Sequence, residues 1–234
     1  MTSAPTLTVA EPAVPVRGIA LVLHGGQSAS LAQVTPRQLS VLRMVPFARA
    51  LQRADAGHGL AVARLLFAVR GWNDTAQSPV PDARWAVDQL TERFPDAPIV
   101  LVGHSMGGRA ALYAAGHPSV VGVVALAPWL EPGDPAAQLA GRRVLIAHGT
   151  RDRTTSPRGS AAYARLARDA GASVTYVSVE AESHAMLRRA AVWHRLAAGW
   201  TIGVLFGSQT RTDQGNTTAT VVTEALAGAG SLVV

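Results

Sequence analysis

Three residues in chain order, a serine, an aspartate and a histidine, could do chemistry together. Ser105 lies in Gly103-His104-Ser105-Met106-Gly107, after the apolar run Ile99 to Val102 and before an Ala-rich stretch reaching Ala115. Chance supplies on the order of 0.1 Gly-x-Ser-x-Gly matches in a chain with this Gly and Ser content, so context must decide. On a sharp strand-to-helix turn the serine hydroxyl stands above the sheet, and small flanking residues avoid collisions with neighbouring backbone. The helix N-terminus beside it favours developing negative charge. Without that context the motif reads as a Gly-rich structural turn.

A serine hydroxyl becomes a useful nucleophile when a base takes its proton, and the base needs a carboxylate to fix its tautomer. Both follow in the order Ser, Asp, His. Asp152 lies in His148-Gly-Thr-Arg-Asp152 after the apolar Val144 to Ala147, and His184 lies in Glu182-Ser-His184 after Val174 to Val179. Asp152 also fits a turn or helix cap, and His184 an exposed loop histidine. Glu131 and Asp134 are rival carboxylates, but their Pro-rich loop lacks the Gly-Thr-x-Asp setting. His24, His104 and His148 sit at strand ends near the chemistry, as orienting groups or as satisfied core imidazoles. An oxyanion hole needs two backbone N–H groups. Met106 supplies one; Gly26, with Gln27 in reserve, supplies the other from His24-Gly25-Gly26-Gln27.

The elements that position these groups follow from hydropathy. Ile19 to Leu23, Leu60 to Val69, Ile99 to Val102, Val120 to Leu126, Val144 to Ala147 and Val174 to Val179 read as strands, several apolar on both faces. Helical patterns lie around Val45 to Ala54, Ala83 to Phe94, Met106 to Ala115, Arg158 to Ala170 and Met186 to Trp200. The alternation predicts an α/β domain over 17–202, a mostly parallel sheet of about six strands with helices on both faces. Residues 1–16 read as an N-terminal extension, and 203–234, rich in Gly, Thr and Ala, as a weakly ordered tail whose closing Val and Leu residues leave open a late strand or a segment foreign to the domain. The long connection from His24 to Met44 marks a functional loop.

Composition excludes other classes. With no cysteine there is no disulfide framework and no thiolate metal centre. All 21 basic residues are Arg, giving a net charge of +6, but they are scattered and not interleaved with aromatics, which argues against nucleic acid. The N-terminus has no basic and apolar leader pattern, and no run of eighteen apolar residues occurs, so a soluble cytoplasmic protein without a membrane partner is expected. Oligomeric state is not legible in the sequence.

Together these residues resemble the α/β-hydrolase family over about Arg17 to Trp200: His-Gly after the first strand, Gly-His-Ser-Met-Gly-Gly at the elbow, His-Gly-Thr-x-Asp, then the late Ser-His. Arg70-Gly71-Trp72-Asn73-Asp74-Thr75 looks like the family's Arg-Gly-x-Gly-x-Ser loop without its second Gly, so no substrate contacts are carried over. The chain looks like small actinobacterial members related to dienelactone hydrolases and carboxylesterases, with Ser where dienelactone hydrolases carry Cys. Cap domains of the family follow the strand that here ends near Leu126, and about sixteen residues separate Ala127 from Arg143, so no cap is expected. Trp72 and Trp129 would then border the substrate. The resemblance implies a serine esterase acting on small or medium carboxylic esters through an acyl-enzyme, with no cofactor and no metal. Thioester or amide hydrolysis and acyl transfer use the same groups; a non-catalytic binding protein of this fold needs none of them.

Overall fold

The computed structural model describes residues 4–207, 217–227 and 230–234. Eight strands, β1 (Thr6–Ala10), β2 (Gly18–Leu23), β3 (Leu60–Leu66), β4 (Ile99–His104), β5 (Val120–Leu126), β6 (Arg143–Gly149), β7 (Ser173–Val179) and β8 (Ser231–Val233), form one sheet of order β1-β3-β2-β4-β5-β6-β7-β8. Only the β1–β3 pair is antiparallel. The helices are α1 (Leu39–Ala54), α2 (Pro79–Arg93), α3 (Met106–Ala114), α4 (Pro157–Asp169), α5 (Ala190–Phe206) and α6 (Thr217–Leu226).

A parallel sheet covered on both faces asks for apolar side chains at successive positions, and β2, Gly-Ile-Ala-Leu-Val-Leu, is buried throughout. Strand parity then divides the core. Ile19, Leu21, Ile99, Leu101 and Ile146 face Ala83, Leu90, Ala111 and Ala164 of α2, α3 and α4. Ala20, Val22, Val100, Val102 and Leu145 face Phe47 and Leu51 of α1 and Trp193 and Trp200 of α5. The central strands β4, β5 and β6 are therefore clamped from both sides, and the candidate chemistry follows the C-terminal ends of β4, β6 and β7. Residues 127–142, between β5 and β6, hold one short 3₁₀ turn, Ala137–Leu139. Among the described residues no helix is long and apolar enough to cross a membrane.

The α/β expectation stands, with two strands more than expected. β1 lies within the supposed extension 1–16, where Thr6 to Ala10 pair with Leu66 to Val62. α1 begins at Leu39, which shortens the loop after β2, and α5 runs on to Phe206. The reading of 203–234 as a weakly ordered tail is corrected for the part described. Val221, Val222 and Ala225 of α6 are buried, with Val222 packed over Gly199 of α5. The Thr175 hydroxyl donates to the Ala225 carbonyl at 3.1 Å. β8 then closes the sheet edge: Tyr176 N–H donates to Gly230 O at 3.1 Å, Val234 N–H to Ser178 O at 3.0 Å and Glu180 N–H to Val234 O at 2.8 Å. The reason is cover: without α6 and β8 the sheet would end at β7 with Thr175 and Val177 less protected. Residues 208–216 and 228–229 of the supposed tail lie outside the described residues.

Truncation after Gly207 is thus expected to destabilise the domain. A net loss of about 2 kcal/mol lowers the melting temperature of a chain this size by about 4–8 °C. Thermal unfolding followed by circular dichroism checks this, and an unchanged midpoint would restore the dispensable-tail reading.

Candidate active site

Ser105 sits between β4 and α3 with φ 54° and ψ −119°, a conformation L-residues rarely adopt. Surrounding bonds hold it there. Its N–H donates to Leu126 O at 3.0 Å on β5, and its carbonyl accepts from Arg109 N–H at 3.1 Å and Trp129 N–H at 3.2 Å. A Cβ at Gly103 would strike the Gly107 carbonyl, and one at Gly107 would strike the carbonyls of His24 and Leu23. Both glycines are therefore required by the close approach of β2, β4 and α3.

His184, on the loop between β7 and α5, brings its Nε2 to 3.0 Å from Ser105 Oγ and its Nδ1 to 2.8 Å from Asp152 Oδ2. An ionised carboxylate only accepts, so Nδ1 carries the proton and Nε2 is left to accept the serine hydroxyl. Asp152, on the loop after β6, has a fully buried side chain. Its Oδ1 accepts the N–H groups of Thr154 at 2.7 Å and Thr155 at 3.0 Å. Its Oδ2 accepts in addition from the Thr155 hydroxyl at 2.9 Å and His148 Nε2 at 3.1 Å. Burial alone pushes Asp152 up; the bonds from His148, His184 and the two threonine N–H groups outweigh it and hold the carboxyl well below the usual carboxylate range. His148 is held in turn by the Ser160 hydroxyl, 2.8 Å from its Nδ1. The structure thus brings Ser105, His184 and Asp152 into one hydrogen-bonded line. It does not bring the rival carboxylates there. Asp134 accepts from Arg109 Nη2 and from the Tyr113 hydroxyl, each at 2.6 Å, and Glu131 accepts from Trp129 Nε1 at 2.6 Å.

Gly26 and Met106 adjoin, since a Cβ at Gly26 would collide with the Met106 side chain. Among the described residues neither backbone N–H has a hydrogen-bond partner. The reserve donor Gln27 is corrected: its N–H is consumed by Arg70 O at 2.8 Å, pinning the turn to the Arg70 loop. Trp72 and Trp129 both line a cavity of about 540 Å³, together with Ser28, Asp74, Arg109 and Glu131. Trp72 is itself buried, and the Arg109 guanidinium lies 4.1 Å from its ring centroid, so only part of it faces that space.

Residues 54–143 match the family described as serine aminopeptidase, S33. Among solved structures, an α/β serine hydrolase homologue from Coxiella burnetii is similar at 16% identity, over 83% of this chain and 90% of that one, with a TM-score of 0.60. A highly thermostable carboxyl esterase from Bacillus coagulans gives 13%, 86%, 94% and 0.64 for the same measures. A monoacylglycerol lipase from Paleococcus ferrophilus gives 18%, 85%, 99% and 0.60. The chain is an α/β hydrolase by fold. No curated protein matches the sequence.

One buried group in this chain escapes a reading of motifs. Glu182 is fully buried, and its carboxylate accepts from the N–H groups of Ser183, Arg188 and Arg189 and from Trp193 Nε1 at 2.9 Å. It thereby caps the start of α5 and ties the His184 loop to a core tryptophan. Only its position two residues before His184 hinted at this. From the other side, His104 Nε2 donates to the His184 carbonyl at 3.0 Å. His24 likewise bridges two segments, accepting Phe67 N–H on Nε2 and donating from Nδ1 to Gly25 O.

Burial lowers His24 to about 4, against a smaller upward pull from its bond to Gly25; burial, and then the neighbouring His184, lowers His104 to about 3. Unfolded, each imidazole binds a proton near pH 6.5. Between these values the unfolded chain holds more protons, so stability falls as pH drops from about 6.5 to about 4. Chemical denaturation across that window should show it; a flat midpoint would mean that these rings are solvated. Glu182→Ala leaves the buried Trp193 Nε1–H without a partner, costing about 1–3 kcal/mol, and releases three part-buried N–H groups as well. Its melting temperature should fall by about 5 °C or more, and an unshifted melt would remove the capping role.

Proposed function

We propose that the chain is a serine hydrolase cleaving small or medium carboxylic esters through an acyl-enzyme. The observation that carries this reading is the line from Ser105 Oγ to His184 Nε2 at 3.0 Å and from His184 Nδ1 to Asp152 Oδ2 at 2.8 Å. In this mechanism Ser105 Oγ bonds the ester carbonyl carbon while its proton passes to His184 Nε2. The oxyanion is met by the N–H groups of Gly26 and Met106. Collapse breaks the bond to the alcohol oxygen, which leaves with the proton from Nε2. A water then gives a proton to Nε2 as its oxygen bonds the acyl carbon; collapse breaks the bond from that carbon to Ser105 Oγ, which takes the proton back from Nε2, and the acid leaves. Asp152, kept ionised by its five hydrogen bonds, holds the Nδ1 proton and stabilises the imidazolium. No step calls for a cofactor or metal.

The ester preference is supported by similar folds named as esterases and a lipase. The match to the serine aminopeptidase family supports amide hydrolysis as a second reading. The same three groups serve either bond, so a matched panel of esters, thioesters and anilides separates them.

Ser105→Ala should lower ester turnover by several orders of magnitude with the fold intact. Asp152→Asn should cost on the order of 10²- to 10⁴-fold, because nucleophile and base remain while the imidazole loses its counter-charge. Because its hydrogen bonds hold Asp152 well below the usual carboxylate range, the acid limb of kcat/KM should keep a one-proton slope to which Asp152 adds nothing. Wild-type turnover in folded Ser105→Ala would falsify the assignment, and a steeper two-proton limb would mean that Asp152 titrates with the base.

A further inference from the structure

The net charge is distributed unevenly. Segments 24–54 and 183–207 contain no acidic residue and seven arginines: Arg37, Arg43, Arg49 and Arg53 in the first, Arg188, Arg189 and Arg195 in the second. The other 14 arginines are matched by all 15 acidic residues, so these two segments account for the whole +6. Among the described residues none of the seven makes an ion pair. The two segments also share a side of the molecule. α1 packs along α5, with Phe47 and His194 ring centroids 4.6 Å apart, and both Arg43 and Arg53 act on His194 electrostatically.

Large apolar side chains stand exposed on the same segments. Leu31 is 80% and Leu39 84% exposed, and Leu42 and Leu187 are also exposed; these are half of the eight exposed large hydrophobics among the described residues. On α1 the exposed positions Leu39, Leu42, Pro46, Arg49 and Arg53 recur at three- and four-residue spacing, a single stripe that is apolar at its start and cationic at its end. Leu187 follows His184 by three residues in the chain.

We infer that this α1–α5 face docks on an anionic phospholipid surface, with leucines entering the acyl boundary and guanidinium groups meeting the headgroup phosphates. Leucine with snorkelling arginine is the pairing such an interface takes up, and peripheral docking needs no spanning helix. The inference departs from the expectation of no membrane partner. Nucleic acid fits the charge but not the apolar side chains: Phe47, Trp193 and Trp200 are buried and Phe206 stacks on His58, which leaves no platform for bases. The inference does not depend on the chemistry assigned to Ser105, because binding is measured without turnover.

The full chain, and separately its Ser105→Ala variant, should float with vesicles of phosphatidylcholine containing about one third phosphatidylglycerol at least ~10-fold more strongly than with phosphatidylcholine alone, and high salt should weaken that binding. Arg49→Glu with Arg188→Glu should reduce binding at least ~10-fold, since each basic residue near such a surface contributes about fivefold. Leu39→Ser with Leu187→Ser should reduce it several-fold, with thermal melting confirming that both variants fold. Equal affinity for neutral vesicles, no flotation at all, binding unmoved by charge reversal, or capture of a single-stranded oligonucleotide in place of vesicles would each overturn the inference.

Discussion

The molecule is organised around one strained residue. Ser105 holds φ 54° and ψ −119°, a conformation that costs about 1–3 kcal/mol and persists only where neighbours over-determine it. Those neighbours come from two strands, one helix and a turn. Leu126 at the end of β5 takes the Ser105 N–H, α3 and the Trp129 turn take its carbonyl, and β2 presses so close that Gly107 can carry no side chain. The strain is thus balanced by a central sheet whose strands are buried from both sides. Its consequence is geometric: the hydroxyl points off the sheet, toward His184.

The second constraint is electrostatic. A buried carboxylate is costly unless fully hydrogen-bonded, and Asp152 meets this with two backbone N–H groups, one hydroxyl and two imidazoles. His148 and Thr155 share the charge with His184, so Asp152 can stay ionised while His184 remains the one partner that also reaches the serine. Glu182 solves a similar problem beside it. Its carboxylate is satisfied by donors at the start of α5, and the loop that carries His184 is drawn to the same helix that covers the sheet.

Much of this was legible in the sequence because the signals are local. The Gly103 to Gly107 motif sits on a strand followed by a helix, and Asp152 and His184 each follow an apolar strand, so topology alone carries them to one sheet end. Gln27 was misjudged because its N–H partner, Arg70, lies on another loop. Thr155 and Glu182 are obscure for the same reason, since a polar residue's partner in space leaves no trace in periodicity; His148 is legible as an orienting candidate only from its place at a strand end. The last strand, left open by the sequence, is a weak signal for a different reason. Ser231–Val233 is only three residues long, and its pairing with Tyr176 to Ser178 depends on an edge already built. α6 buries Val221, Val222 and Ala225 against α5, too few apolar positions to stand out among Thr and Ala.

The central claim is that Ser105, activated through His184, forms a covalent bond to the acyl carbon. Intact mass followed by peptide mapping, after treatment with a fluorophosphonate, reads this most directly. The account predicts a single adduct on Ser105, formed far more slowly in His184→Ala. An unlabelled protein, or an adduct on another serine with Ser105 untouched, would contradict it.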